Sequence, residues 1–260
     1  MKKPINLHKT KKSFLLFSFL LFCFLPCMLQ AQEMKEVKGD GSLITQTIPI
    51  SNFSKIGIEV DVEINYSQEK NKGNLEFTID QNLWEYYDIY TKNDELYIKL
   101  KKEYRNKTKL IPTKSVITVF SRQLEEINIT GHTEFHFCSK YFSKKLIIKN
   151  TGMGNIFANQ YPVRISEFDA TITGFGDILL MGDIRDAKVR ITGRCNVSAL
   201  DCRIVRMDVA ISGNGNVEAQ VFDKLNVVIT GMGTVKFQGD PRLTTRFTGG
   251  KGEVINLQYK

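Results

Sequence analysis

The chain has 260 residues, 36 basic and 28 acidic, for a formal charge of +8. Five lysines and no acid fall within residues 1–31, so the rest holds 31 basic against 28 acidic residues, or +3. Bulk charge therefore gives nucleic-acid binding no footing, and the 229 residues that remain after 31 are taken from 260 suffice for one core without disulfide staples.

Residues 1–31 read as a secretory signal peptide. Lys2, Lys3, Lys9, Lys11 and Lys12 form a basic front, and Phe14 to Leu25 is apolar apart from Ser18 and Cys23. That run is short for a membrane span, and small Ala31 before Gln32 offers a cut site. The competing readings are an uncleaved anchor and a lipoprotein, but Pro26 stands where a lipidated Cys27 would need a small residue. The expected location is exported: periplasm, outer-membrane surface or extracellular, with no membrane-spanning segment once the leader is gone. Cys138, Cys195 and Cys202 then remain, an odd and unpatterned set. A Cys195–Cys202 bridge is an option; small buried thiols suit the spacing better.

A mobile, charged N-terminal segment is expected over 32–43, followed by one domain over 44–260, with strands over 44–120 and coils over 121–257. Ile56, Ile58, Val60, Val62 and Ile64 alternate with polar residues or glycine as one half-buried strand. Leu75, Phe77 and Ile79 repeat the pattern, as do Leu96, Ile98 and Leu100. Only Asn82 to Asp88 suits a short helical turn. No stretch keeps a 3.6-residue apolar period, so the chain is read as all-β.

The second half repeats. Gly131, Gly152, Gly174, Gly193, Gly213, Gly231 and Gly250 recur every 18 to 22 residues, each between two alternating runs. Thr151-Gly152-Met153-Gly154-Asn155-Ile156 and Thr230-Gly231-Met232-Gly233-Thr234-Val235 are well-formed copies. Such a period predicts a parallel β-helix-like solenoid whose coils, about 4.8 Å apart, stack their apolar residues into one core. The glycines are expected to supply positive φ and to lack a Cβ where coils press together. Second turns are expected at Met181-Gly182-Asp183, Leu200-Asp201-Cys202, Phe222-Asp223-Lys224 and Gly239-Asp240-Pro241. The N-terminal strands should pack on or cap the first coil, covering an open edge.

Phe53-Ser54-Lys55-Ile56-Gly57-Ile58, Asn82-Leu83, Glu95-Leu96-Tyr97-Ile98, the Thr/Ser-Gly-x-Gly-x-Ile/Val series and Gly239-Asp240-Pro241 resemble a family frequent in Bacteroidetes, the "putative auto-transporter adhesin, head GIN domain" family. The resemblance covers about Ile50 to Asn256. It implies a β-helix-like fold and a cell-envelope or surface location, and it brings no catalytic residues. The chain departs from the pattern at Gly131-His132-Thr133, Gly193-Arg194-Cys195 and Gly249-Gly250-Lys251-Gly252. With four residues after Asn256, no translocating barrel of its own is expected.

Candidate surfaces follow from the stacking. Corner tips His132, Met153, Phe175, Arg194, Asn214, Met232 and Lys251 form a column in which Met153, Phe175 and Met232 offer apolar groups to a partner. Glu134, Asn155, Asp177, Asn196, Asn216, Thr234 and Glu253 form a second column, read as a structural row in preference to a cation or sugar strip. Trp84, Tyr86, Tyr87 and Tyr90 either stack on sugars or cover the end of the core. Lys99, Lys101, Lys102, Arg105, Lys107 and Lys109 either meet an anionic partner or protect an edge.

Catalytic patterns are missing from the sequence. His132 and His136 on one strand face would stand about 13 Å apart, too far for one metal ion. The expected function is an exported, non-catalytic cell-envelope binding or scaffolding module. No cofactor is expected, and the partners are envelope or host glycans or surface proteins. The alternative is a β-helix polysaccharide lyase or hydrolase acting on acidic glycans, for which Asp169, Asp177, Asp183 and Asp186 with Arg185, Lys188 and Arg190 are the nearest constellation.

Overall fold

The computed structural model describes residues 34–69, 73–247 and 250–259; the expected leader with Cys23 and Cys27, Gln32, and Gly249 lie outside the described residues. Within them the first half forms β1 (Lys35–Lys38), β2 (Leu43–Pro49), β3 (Lys55–Ile58), β4 (Val62–Ser67), β5 (Asn74–Asp80), β6 (Tyr87–Lys92), β7 (Glu95–Leu100), β8 (Thr108–Ile111) and β9 (Ser115–Phe120). The repeat half forms β10 (Glu126–Ile129), β11 (His132–Phe137), β12 (Tyr141–Asn150), β13 (Met153–Ile172), β14 (Phe175–Ile191), β15 (Arg194–Ile211), β16 (Asn214–Ile229), β17 (Met232–Gln238), β18 (Arg242–Phe247) and β19 (Lys251–Asn256). A 3-10 turn, Gln81–Tyr86, sits where the sequence suggested a helical turn, and a second, Leu257–Tyr259, follows β19.

The expected solenoid is present. From β10 to β19 the pairings that stack coil on coil are all parallel, and partners in register lie 17 to 22 residues apart. Alternation sends every second side chain inward. Ile117, Ile64, Phe135, Ile156, Ile178, Val197, Val217 and Val235 thus register as one buried row. Before the corner, Ile98, Ile58, Ile129, Asn150, Ile172, Ile191, Ile211 and Ile229 form its counterpart.

The corner glycines are required by contact, and the expectation of positive φ is corrected. A Cβ on Gly152, Gly174, Gly193, Gly213, Gly231 or Gly250 would meet the carbonyl oxygen of the preceding corner glycine at 1.9 to 2.3 Å, yet none of them has positive φ. Each corner rests directly on the backbone of the one before. Positive φ is used at the second bend, at Gly182 (φ 128°) and Gly239 (φ 104°), and at the corner by Gly176 (φ 147°), two residues after the corner glycine. The second bend interrupts the strands at Gly239-Asp240-Pro241, between β17 and β18, as expected, but not on the four longer strands before it. β13 to β16 run through it unbroken, with register shifts at Ala158/Val163, Leu179/Gly182 and Ala199/Arg203. Differences in coil length are absorbed there as bulges.

Ile56 to Ile64 is not one strand. Register with β10 and β11 bends it at residues 59–61, which makes it the first cornered coil. Val60 occupies the place of the glycine there. It can keep a side chain because β7 and β9, the strands on its far side, are joined by residues 101–114 and not by a tight corner.

The parallel stack ends in antiparallel pairs: β6 on β7, β5 on β9, and β2 on β5. These strands end the parallel stack on that side, as the edge argument expected. The segment expected to be mobile over 32–43 is corrected in part. β1 pairs in parallel with β8, Val37 packs on the core, and Lys109 Nζ meets Glu36 Oε1 at 2.9 Å. The compact unit accordingly starts at Lys35.

Candidate functional site

Parallel register carries the corner tips into one line. His132, Met153, Phe175, Arg194, Asn214, Met232 and Lys251 are successive partners. Met153 and Phe175, adjacent in that line, are 53% and 54% exposed, and the Arg194 guanidinium lies 5.9 Å from the Phe175 ring centroid. Met232 is equally exposed but stands three steps from Phe175, behind Arg194 and Asn214. The structure joins the first two apolar tips and leaves the third apart.

Beneath this ridge lies a residue that the sequence reading passed over. Asn150 is buried in the row where the other coils from Ile129 to Ile229 have isoleucine. Its Nδ2 donates to the carbonyls of Phe175 (2.7 Å) and Gly154 (3.0 Å), pinning the corner from inside. The visible signal was Asn-Thr-Gly in place of Ile-Thr-Gly.

The second column is a hydrogen-bonded row. Asn155 Oδ1 accepts the Asp177 backbone N–H at 2.9 Å. Asn196 Nδ2 donates to Asp177 Oδ1 at 2.9 Å, and Asn216 Nδ2 donates to Asn196 Oδ1 at 3.0 Å. The polar groups of Asp177 and Asn196 are thereby engaged by their neighbours in the stack.

The basic stretch divides. Lys99 is clamped by Tyr90 and Tyr97, its Nζ 4.6 and 4.9 Å from their ring centroids and 2.5 Å from the Tyr90 hydroxyl. Arg105 Nε donates to the Leu100 carbonyl. Hydrogen bonding to Glu36, and its charge, raise the Lys109 pKa. Lys102 and Lys107 are exposed and Lys101 half-exposed. Trp84 is half-buried, 6.1 Å from Phe77, which stacks edge-on with buried Tyr87 at 4.9 Å. Burial pushes the Tyr87 hydroxyl up to about 12. These rings pack onto the capped end of the core.

The residues considered for catalysis divide: Asp169, Asp186 and Lys188 share one cleft, and Asp177 and Asp183 lie outside it. Asp177 belongs to the asparagine row, and Asp183 lies at the second bend. Asp169 is held by Arg190 at 2.7 Å. Asp186 accepts from Arg206 Nε and Nη2, and Arg206 with Arg185 holds its carboxyl below the usual range. Asp169, Asp186, Lys188 and Arg206 help line a cleft of about 560 Å³ in which four basic residues face four acidic ones. His136 stacks on Phe157 at 4.7 Å, and the backbone N–H of His132 donates to Asp61. Among the described residues no group of three His, Cys, Asp or Glu side chains is placed to hold a metal ion. Cys138, Cys195 and Cys202 are free thiols, so no Cys195–Cys202 bridge forms.

One family model, "Putative auto-transporter adhesin, head GIN domain", matches residues 52–241, which include the corner series from Gly131 to Gly231. The chain belongs to this family. The head GIN fold is shared with the crystal structure of a "putative adhesin" from Bacteroides fragilis NCTC 9343, which is 21% identical, with a TM-score of 0.75 over 85% of this chain and 100% of that one. A "putative lipid binding protein" from Parabacteroides distasonis ATCC 8503 is 23% identical, with a TM-score of 0.63 over 86% of this chain and 100% of that one. A "putative adhesin" from Parabacteroides merdae ATCC 43184 is 22% identical, with a TM-score of 0.60 over 86% and 99%. No curated protein sequence matches the chain. At such identities the likeness is one of fold. Among the described residues no helix is long and apolar enough to cross a membrane.

Proposed function

We propose that this head GIN protein is an exported, non-catalytic, adhesin-like binding module of the cell envelope, with its partner seated on the Met153–Phe175 ridge. The observation that carries the reading is the exposure of two large apolar side chains, held side by side by parallel register. Asn150 fixes the corner under them, so little conformational entropy remains to be lost on contact. Apolar tips beside an arginine have the composition of a small protein contact, which favours a surface protein as partner. Family membership and the leader composition support export. Asp177 and Asp183 lie outside the cleft that Asp169 and Asp186 share, and those two are engaged by Arg190 and Arg206, which supports a role without catalysis.

The test compares wild type, M153S/F175S and M232S in retention of surface proteins from an envelope fraction, with phospholipid vesicles as a second ligand. M153S/F175S should lose most retention with its melting temperature nearly unchanged, and M232S should behave as wild type. Equal retention by all three removes the ridge from the reading. Release of products from acidic polysaccharides in the presence of calcium would replace the binding role with a catalytic one. Amino-terminal sequencing of the mature chain should begin at Gln32, and an intact leader on cytoplasmic protein would refute export.

A further inference from the structure

A second ladder runs along the bend opposite in sequence to the glycine corner. Phe142 pairs in register with Arg164, Arg164 with Asp183, and Asp183 with Arg203. Arg203 pairs in register with Gln220, and across the irregularity there its guanidinium lies 5.0 Å from the Phe222 ring centroid, as that of Arg164 lies 5.7 Å from Phe142. The order is aromatic, arginine, aspartate, arginine, aromatic. Neighbours on either side in the chain, such as Val163, Ile165, Cys202 and Ile204, are buried, so the ladder points outward. We propose that it is a binding subsite for a linear anionic polysaccharide with one acid group on every second sugar.

Three features select this ligand. On the same coils Arg185, Arg190 and Arg206 are each paired with a carboxylate, whereas among the described residues no ion pair uses Arg164 or Arg203. Stacking on a ring leaves the edge of a guanidinium free to take a carboxylate or sulfate through two N–H donors. Phe142 and Phe222, 52% and 42% exposed, close the ladder with flat apolar faces, which suit the C–H face of a sugar ring.

The third feature is spacing. Arg164 and Arg203 are two coil steps apart, about 10 Å, a length of the order of one disaccharide in an extended chain. Asp183 stands between them and belongs to no ion pair among the described residues. It can accept hydrogen bonds from sugar hydroxyls and repels a carboxylate placed midway. A chain with acid and neutral sugars in alternation satisfies all three residues; a chain with acid on every sugar places one charge against Asp183.

This site rests on the reading of the protein as a binding module but uses residues away from the Met153–Phe175 ridge, so the two can fail separately. Binding of the full chain to unsulfated chondroitin, polygalacturonate and dextran is measured by calorimetry at about 0.15 M salt, where distant surface charges are screened. Unsulfated chondroitin should bind best and dextran not at all. R164Q/R203Q should weaken chondroitin binding about tenfold or more, the value of one lost charge-assisted contact or more. F142S/F222S should weaken it as well, and M153S/F175S should leave it unchanged. D183N should gain affinity for polygalacturonate. No preference over dextran, or equal weakening by the control K102Q/K107Q, would overturn the site, the latter by assigning binding to bulk charge. Melting temperatures close to wild type keep each variant interpretable.

Discussion

Gly174 lies so close over Gly152 that a Cβ on it would sit 2.0 Å from the Gly152 carbonyl oxygen. The obstacle is backbone on the neighbouring coil, which cannot rotate away as a side chain would. Gly174→Ala should therefore cost about 2–3 kcal/mol, as overpacking does in a filled core. Gly41→Ala has open space but a φ of 80°, and should cost about 1 kcal/mol from backbone strain alone. Urea unfolding of the two variants separates contact from conformation.

The glycine ladder was legible because the steric demand recurs once per coil and admits a single residue type. The exceptions were harder to read for physical reasons. Val60 looks like one more inward residue of a strand, because alternation carries no mark of where a chain bends. Asn150 is a polar residue at an apolar position, and its partners Gly154 and Phe175 are set by the stack and not by its neighbours. In the second half the repeat made strand direction legible, whereas in the first half it was not: Leu75, Phe77 and Ile79 alternate alike in a parallel or an antiparallel pair. The ladder from Phe142 to Phe222 repeats at coil spacing, but its members differ in type, so no single-residue periodicity showed it. The Lys99 clamp depends on a hairpin that brings Tyr90 opposite Tyr97.

Asp80 ties the capped end together and should make it sensitive to acid. Its buried carboxylate accepts the backbone N–H groups of Gly41 and Thr113, both at 2.8 Å, and the Thr113 hydroxyl. Burial by itself would raise its pKa, but these hydrogen bonds outweigh it and hold the group below its ordinary value. A depressed folded pKa gives stability that is present above the unfolded value, about 3.9, and lost as the pH falls through the lower folded one. Asp80→Asn should remove about 2 kcal/mol at neutral pH, since an amide places a donor against N–H groups. It should also flatten the stability curve below about pH 4. An unchanged acid limb in pH-dependent unfolding would show that Asp80 is not the group responsible.

The asparagine row predicts a structural effect without a functional one. Asn196→Ala removes the bonds to Asp177 and from Asn216, both exposed, and should cost about 1 kcal/mol. Calcium should leave the melting temperature of wild type and Asp177→Ala unchanged, because Asp177 stands alone among neutral amides at the centre of the row. A calcium-dependent rise in wild type that vanishes in Asp177→Ala would make the row a cation strip.

The thiols offer a direct probe of packing. Cys195 fills the place that Gly176 and Gly215 occupy on the adjoining coils, and Cys202 sits inside the second bend. Burial, aided by the nearby charges of Asp177 and Asp183 respectively, pushes each thiol up to about 12. The thiolate is the reactive form, so both should resist a thiol reagent at pH 8 while the chain is folded. Cys138 is half-exposed, with its pKa raised by partial burial and then by Glu63, and should react slowly. Labelling should thus modify at most Cys138 in the native protein and all three thiols after denaturation. Rapid native labelling of Cys195 would mean that the coils around Gly176 and Gly215 open locally, since no path to its sulfur exists while they are stacked.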